Sequence, residues 1–261
     1  MGGRWRWAVM GVFLLSSVLN YLDRMTLAHL APVLEKDFGF THQDYGYVVS
    51  LFALIYAVCS PLAGAWIDRV GLNIGLCAAV GVWSLASVAT GFVSSFGGLL
   101  VCRGVLAAAE SAGVPGVAKA IGRFLPAKER ALGHAASNVG LGIGAILAPL
   151  IATWFLLRAG WQGAFIFPGM LGLLWIPLWL GVERRATPVE DAETGVAAVP
   201  IRTVLGSPVM WRVIAANILA MAPYTLWSNW TTIFFVETHG LNVAEAAGYA
   251  AVQTPGRKRQ E

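Results

Sequence analysis

Charge is scarce in this 261-residue chain, with Asp, Glu, Lys and Arg at 12%, about half of the roughly 25% usual in soluble domains. Together with a hydrophobic fraction of 57%, this excludes a water-soluble fold, which could not hide so much apolar surface. Cysteine is equally sparse. Cys59, Cys77 and Cys102 are odd in number and all lie in apolar segments, so neither a disulfide framework nor a zinc site has support. No His-Glu-x-x-His or Gly-x-Ser-x-Gly arrangement occurs, so no enzyme is expected. His29 and His134 have no partner at metal-ligand spacing, and no metal or cofactor is expected. The net charge of +4 comes from basic residues scattered between apolar segments rather than gathered on a face, which excludes a nucleic-acid partner.

Long apolar runs are abundant. A membrane-spanning helix needs about 20 mainly apolar residues, and about seven such segments are present, at about 6–34, 43–67, 74–94, 97–122, 129–157, 161–182 and 208–237. The expected fold is an all-α membrane protein in a lipid bilayer. Residues 1–182 form a six-helix bundle, 183–205 a polar cytoplasmic linker and 206–238 a seventh transmembrane helix. From Glu237 to Ala251 the chain reads as a loop leading into another helix, and 239–261 as a truncated or frame-shifted tail, given its abrupt turn to Gly-Arg-Lys-Arg-Gln-Glu. Arg4 and Arg6 before the first apolar run resemble the start of a signal peptide. The charged Asp23-Arg24 follows instead of a small-residue cleavage site, so an uncleaved span is expected. Arg4, Arg6, Arg69, Arg123, Lys128, Arg130, Arg184, Arg185 and Arg202 fall in the N-terminus and even-numbered joints. Only Lys36 and Arg158 fall in the odd-numbered joints of the first six spans, which puts the N-terminus in the cytoplasm.

Ionisable groups inside such spans need a reason, because a charge at the centre of a bilayer helix costs about 2.5–3.5 kcal/mol on insertion scales. Asp23 and Arg24 directly follow the run from Trp7 to Leu22. Either the span ends there and the pair sits among headgroups, or the helix continues to about Leu34 and buries it. Arg103 and Glu110, seven residues apart, return to nearly the same face of the fourth helix and could meet Asp23 and Arg24 across a cavity. Such a set is either a charge network that holds helices together or a site where Arg24 and Arg103 receive an anion and Glu110 takes a proton. Gly64-Ala-Trp-Ile-Asp68-Arg69-Val-Gly71 closes the second span. In it Gly64 permits close helix approach, Asp68 can cap a helix or meet a cation, and Gly71 permits a tight turn.

That loop resembles the signature loop of the major facilitator superfamily, departing from it in having Leu72 and Asn73 where basic residues are usual. Asn20-Tyr21-Leu22-Asp23-Arg24, Arg103 with Glu110 and Ser-Ala-Gly-Val-Pro115, Phe124-Leu-Pro-Ala-Lys-Glu129-Arg130-Ala131 and Gly160-Trp161 are similar to motifs of its organic-anion symporters, the hexuronate, galactonate and glucarate transporters. The resemblance runs from about Arg4 to Tyr249. It implies the six-helix N-terminal half of a major facilitator fold plus about one helix of the second half. It further implies proton-coupled symport of a small organic anion such as a sugar acid in the cell's inner membrane. By the same resemblance Tyr21, Arg24 and Arg103 bind substrate, Glu110 couples transport to protons with Asp23 assisting, and Gly64, Asp68, Arg69 and Gly71 form the cytoplasmic loop. Leu141 and Gly142 stand where those transporters tend to have polar residues. The competing reading is a truncated, non-transporting membrane fragment or interaction subunit whose second half is missing.

Three further patterns have structural readings. Gly140-Leu-Gly142-Ile-Gly144-Ala145 fits a dinucleotide fingerprint, but no strand precedes it, and Gly140 and Gly144 are expected to be a helix-packing pair. Asn229-Trp-Thr231 matches a glycosylation sequon inside an apolar span, where modification is not expected. Trp227 and Trp230 either stack on a sugar ring or pack and anchor.

Overall fold

Helix formation follows from the apolar runs, and the joints follow from their caps and glycines. The computed structural model describes residues 3–189 and 206–252 together with Thr203. The expected linker from residue 190, with Arg202, and the tail from residue 253 lie outside the described residues, apart from the short pieces just given. In chain order the helices are α1 (Gly3–Phe38), α2 (His42–Val70), α3 (Leu72–Thr90), α4 (Phe96–Glu110), α5 (Gly113–Phe124), α6 (Arg130–Arg158), α7 (Trp161–Glu183), α8 (Pro208–His239) and α9 (Val243–Val252). Among the described residues six stretches are long and apolar enough to cross a membrane, α4 and α5 counting as one. The first helix, which carries Asn20, Asp23 and Arg24, falls short of that apolarity although it is 36 residues long.

Two expectations change. The fourth span is not one helix: it breaks at Ser111 and Ala112, because Pro115 has no N–H to give the Ser111 carbonyl four residues back. The stretch after Glu237 is mostly helix as well. Gly240 adopts a left-handed conformation that ends α8, and α9 starts at Val243, with Asn242 and Glu245 exchanging capping bonds.

Other joints behave as their residues dictate. Thr41 and Asp44 form a reciprocal capping box at the start of α2. Gly71 at φ 88° and Gly160 at φ 81° turn α2 into α3 and α6 into α7, in a region that a Cβ disfavours. The bundle is centred on α1, which packs along α6 and α7, while α3 lies against α7 and α4, and α2 against α4. Contact between α1 and α6 is close because Gly140 and Gly144 admit the backbone of α1. A Cβ on either would lie 2.6 Å from Leu14 O or 2.5 Å from Val18 O.

Two large apolar clusters divide the bundle, and a small third one, Leu22, Met25 and Ala148, lies between them along α1. One gathers Val9, Phe13, Trp83, Phe124, Trp175 and Trp179, with Trp175 and Trp179 stacked at 5.8 Å and Phe13 edge-on to both. The other gathers Leu30, Leu34, Phe40, Tyr45, Trp161 and Phe165. Along α1 the Asp23-Arg24 pair falls between these clusters, so the charges sit in mid-bundle with apolar packing on either side.

Candidate functional site

Because α1 continues to Phe38, Asp23 and Arg24 are carried inside the bundle rather than left at its surface. Glu110 is the last residue of α4, at the helix break, and Arg103 lies two turns earlier on the same face. Asp23, Arg103 and Glu110 are 1%, 2% and 0% exposed. Two carboxylates and two guanidinium groups thus form a buried layer whose formal charges cancel.

The pairing within this layer is unequal. Arg24 Nε donates to Glu110 Oε2 at 2.8 Å, and the guanidinium also lies 4.3 Å from the ring centre of Tyr56 and 5.0 Å from that of Phe52. Arg103 does not pair with the Asp23 carboxylate: its Nη1 donates to the Asp23 backbone carbonyl at 3.3 Å, and its guanidinium lies 5.1 Å from the Phe165 ring. Asp23 Oδ1 is 2.6 Å from Ser87 Oγ, which is also 2.9 Å from the Phe165 carbonyl, and the single hydroxyl proton serves one acceptor at a time. Among the described residues, none makes a hydrogen bond of normal geometry to the buried atoms Asp23 Oδ2, Glu110 Oε1, Arg24 Nη2 or Arg103 Nε. Buried polar atoms are usually paired, so these leave hydrogen-bonding capacity in the layer.

A cavity of about 690 Å³ opens beside this layer, within the roughly 300–1,000 Å³ of small-molecule sites. Arg24 and Arg103 line it, whereas Asp23 and Glu110 are not among its wall residues, so the cavity faces the cations and the acids lie behind them. Tyr21 lines it too, its hydroxyl hydrogen-bonded to that of Tyr224 on α8. The wall from α2 and α6 is largely apolar, with Val49, Phe52, Ala53 and Leu141, and the wall from α8 is polar, with Thr225, Ser228 and Asn229. A smaller cavity of about 160 Å³, with Ser16, Asn20, His134 and Ser137 in its wall, shares Tyr56, Asn138 and Leu141 with the larger one.

Sequence reasoning missed Phe52, Tyr56, Asn138 and Tyr224. The signal available for Asn138 was a polar residue in an apolar span, four residues after His134 on the same helix face. Trp230 packs edge-on against Tyr45 at 5.4 Å, and Trp227 borders a third, small hollow with His29. Asn229 bonds back to the Thr225 carbonyl. His29 is buried, with Nδ1 2.8 Å from Thr232 Oγ1.

The loop between α2 and α3 lies at the end of the bundle that holds the start of α1. Asp68 meets a cation, Lys119 Nζ of α5, at 2.6 Å, and Arg69 is exposed. Gly64 lies against α5, where an added Cβ would touch Pro115 at an ordinary 3.5 Å. Further ion pairs at this end, Arg6 with Glu129 at 3.0 Å and Arg123 with Glu183 at 3.4 Å, tie helix ends together.

Apolar helices around a mid-bundle cavity, with two arginines in its wall and two acids behind them, are the build of a secondary transporter. Residues 13–256 match the model of the Major Facilitator Superfamily, and the chain belongs to that superfamily. It is 31% identical to the hexuronate transporter of Escherichia coli (strain K12) over 94% of this chain and 61% of that protein. It is 29% identical to the galacturonate transporter of Dickeya chrysanthemi over 94% of this chain and 76% of that one. The fold matches the crystal structure of a bacterial homologue of the human lysosomal transporter Spinster, in an inward-facing, unoccupied conformation. There the TM-score is 0.79, with 23% identity over 97% of this chain and 60% of that one. The chain thus spans about three fifths of the length of the first of these relatives and of the solved transporter. The expected all-α membrane fold and the resemblance to hexuronate-type transporters both hold.

Proposed function

We propose that this chain forms the N-terminal bundle of a proton-coupled symporter for a small organic anion, a sugar acid of the hexuronate or galactonate kind. One observation carries the reading: Arg24 and Arg103 border the cavity while Glu110, bonded to Arg24, stands behind them. The substrates for which the relatives are named, hexuronate and galacturonate, are carboxylates, which a guanidinium fork binds well. Tyr21 adds a hydroxyl beside Arg24 for the same carboxylate.

Coupling follows from charge balance. A carboxylate that draws Arg24 away from Glu110 leaves a buried acid without its counter-charge, and a proton on Glu110 restores neutrality. Asp23, held by Ser87, offers a second acid in the same layer. Anion and proton then cross together as two helical halves rock around the site. Gly64, Asp68, Arg69 and Gly71 form the cytoplasmic loop, and the N-terminus lies inside an inner membrane, as the distribution of arginine favours. The second half of the transporter belongs to this reading as a partner. The competing reading is a fragment that does not transport, since the chain spans 61% of the hexuronate transporter's length.

The test is uptake of labelled D-galacturonate into proteoliposomes that hold this bundle together with its second half, under an inward proton gradient. Glu110→Gln is expected to abolish accumulation but leave exchange of internal for external substrate intact; unchanged accumulation would remove Glu110 from the coupling. Uptake by this chain reconstituted alone would exclude the non-transporting reading.

A further inference from the structure

The buried layer does not account for a second titratable cluster at the opposite end of the bundle from the Asp68 loop. There His42, the first residue of α2, stands between two carboxylates of other helices. Its Nδ1 is 2.9 Å from Glu35 Oε1 of α1, and its Nε2 is 2.5 Å from Glu237 Oε1 of α8. A neutral imidazole carries one N–H and one lone pair, so it can donate to only one of them and must turn its lone pair toward the other. Only the imidazolium donates to both. The geometry is that of a protonated histidine.

We propose that His42 is a second proton-binding site, separate from the mid-bundle charges, and that its protonation pins the last turns of α8 to α1 and α2. Glu35 and Glu237 are the charged groups that face it. From α8 the Trp230 ring also approaches, edge-on at 6.4 Å, and on α2 itself Asp44 is turned to the Thr41 cap and Gln43 to the Tyr47 hydroxyl. Among the described residues, the other polar ties from α8 to α1 and α2 contain no carboxylate: Tyr45 Oη donates to the Asn229 carbonyl at 3.1 Å, His29 meets Thr232, and Tyr21 meets Tyr224. Because α8 supplies Tyr224, Thr225, Ser228 and Asn229 to the cavity wall, losing the His42 clamp loosens that wall. The His42 side chain is 46% exposed, which gives protons direct access and keeps the clamp weak enough to be reversible. The inference does not rest on the anion reading, since it concerns the chain without substrate.

The experiment measures the distance between spin labels at Tyr47→Cys and Thr238→Cys, both exposed positions, in lipid nanodiscs. The background is a full chain with Cys59, Cys77 and Cys102 replaced by Ala. With His42 present, the short-distance population is expected to fall about three- to fivefold from pH 5 to pH 8, the scale of exposed ion pairs. His42→Lys, with its fixed charge, should stay short at both pH values, and His42→Gln long at both. Should His42→Lys fail to fold, Glu237→Gln provides the second test, since its amide accepts from the imidazolium and accepts from or donates to the neutral ring, and should abolish the pH response. A distance independent of pH with His42 present, or a response that survives in His42→Gln, overturns the proposal.

Discussion

Gly142 and Gly144 lie two residues apart on α6, and alanine at each should affect stability in opposite directions. A Cβ on Gly144 would sit 2.5 Å from Val18 O, 3.0 Å from Tyr21 Cβ and 3.2 Å from Leu22 N. The first of these is about 0.9 Å inside the 3.4 Å at which ordinary contact begins. The obstacle is helix backbone, which cannot rotate aside as a side-chain tip can, so α1 must withdraw from α6. A Cβ on Gly142 meets nothing within 4 Å. Both substitutions gain the same helix propensity, about 0.8–1 kcal/mol for Gly to Ala. The difference between the two variants therefore isolates the packing cost, about 1–3 kcal/mol for overfilling a close contact. Thermal unfolding followed by tryptophan fluorescence in detergent is the assay, with Gly142→Ala expected at or above the parent midpoint and Gly144→Ala below it. Equal midpoints would refute the close-contact account of α1 and α6.

Arg24→Gln strands Glu110 in a buried site and should cost about 3–5 kcal/mol, whereas the double variant with Glu110→Gln should recover much of the loss; additive losses in a double-mutant cycle would show that the pair is not coupled. Lys119→Ala removes the partner of Asp68, which is 71% exposed, and should change stability by less than about 1 kcal/mol in denaturant titration.

The parts of the fold that were legible in the sequence depend on composition and short-range geometry. Segments of about 20 apolar residues must form helices in lipid, because no water remains to satisfy a bare backbone. Gly71 is a turn residue and Gly140 with Gly144 a packing pair for local steric reasons. The seven-residue spacing of Arg103 and Glu110 put them on one face by helix geometry alone. The break after Glu110 is legible too, since Pro115 denies the Ser111 carbonyl its helical donor.

The partners could not be seen in the same way. Nothing local says that Arg24 pairs with Glu110, 86 residues away, while Arg103 reaches the Asp23 carbonyl and leaves its carboxylate to Ser87. Nor does spacing show that the cavity meets the arginines before the acids, or that α8 brings Tyr224 to Tyr21 and Glu237 to His42. The physical reason is one of range. Membrane insertion and helix propensity act on residues along one segment, and so they can be read from the order of residues. Ion pairing acts through space, and its outcome depends on the rotation and spacing of helices, which packing of the whole bundle sets.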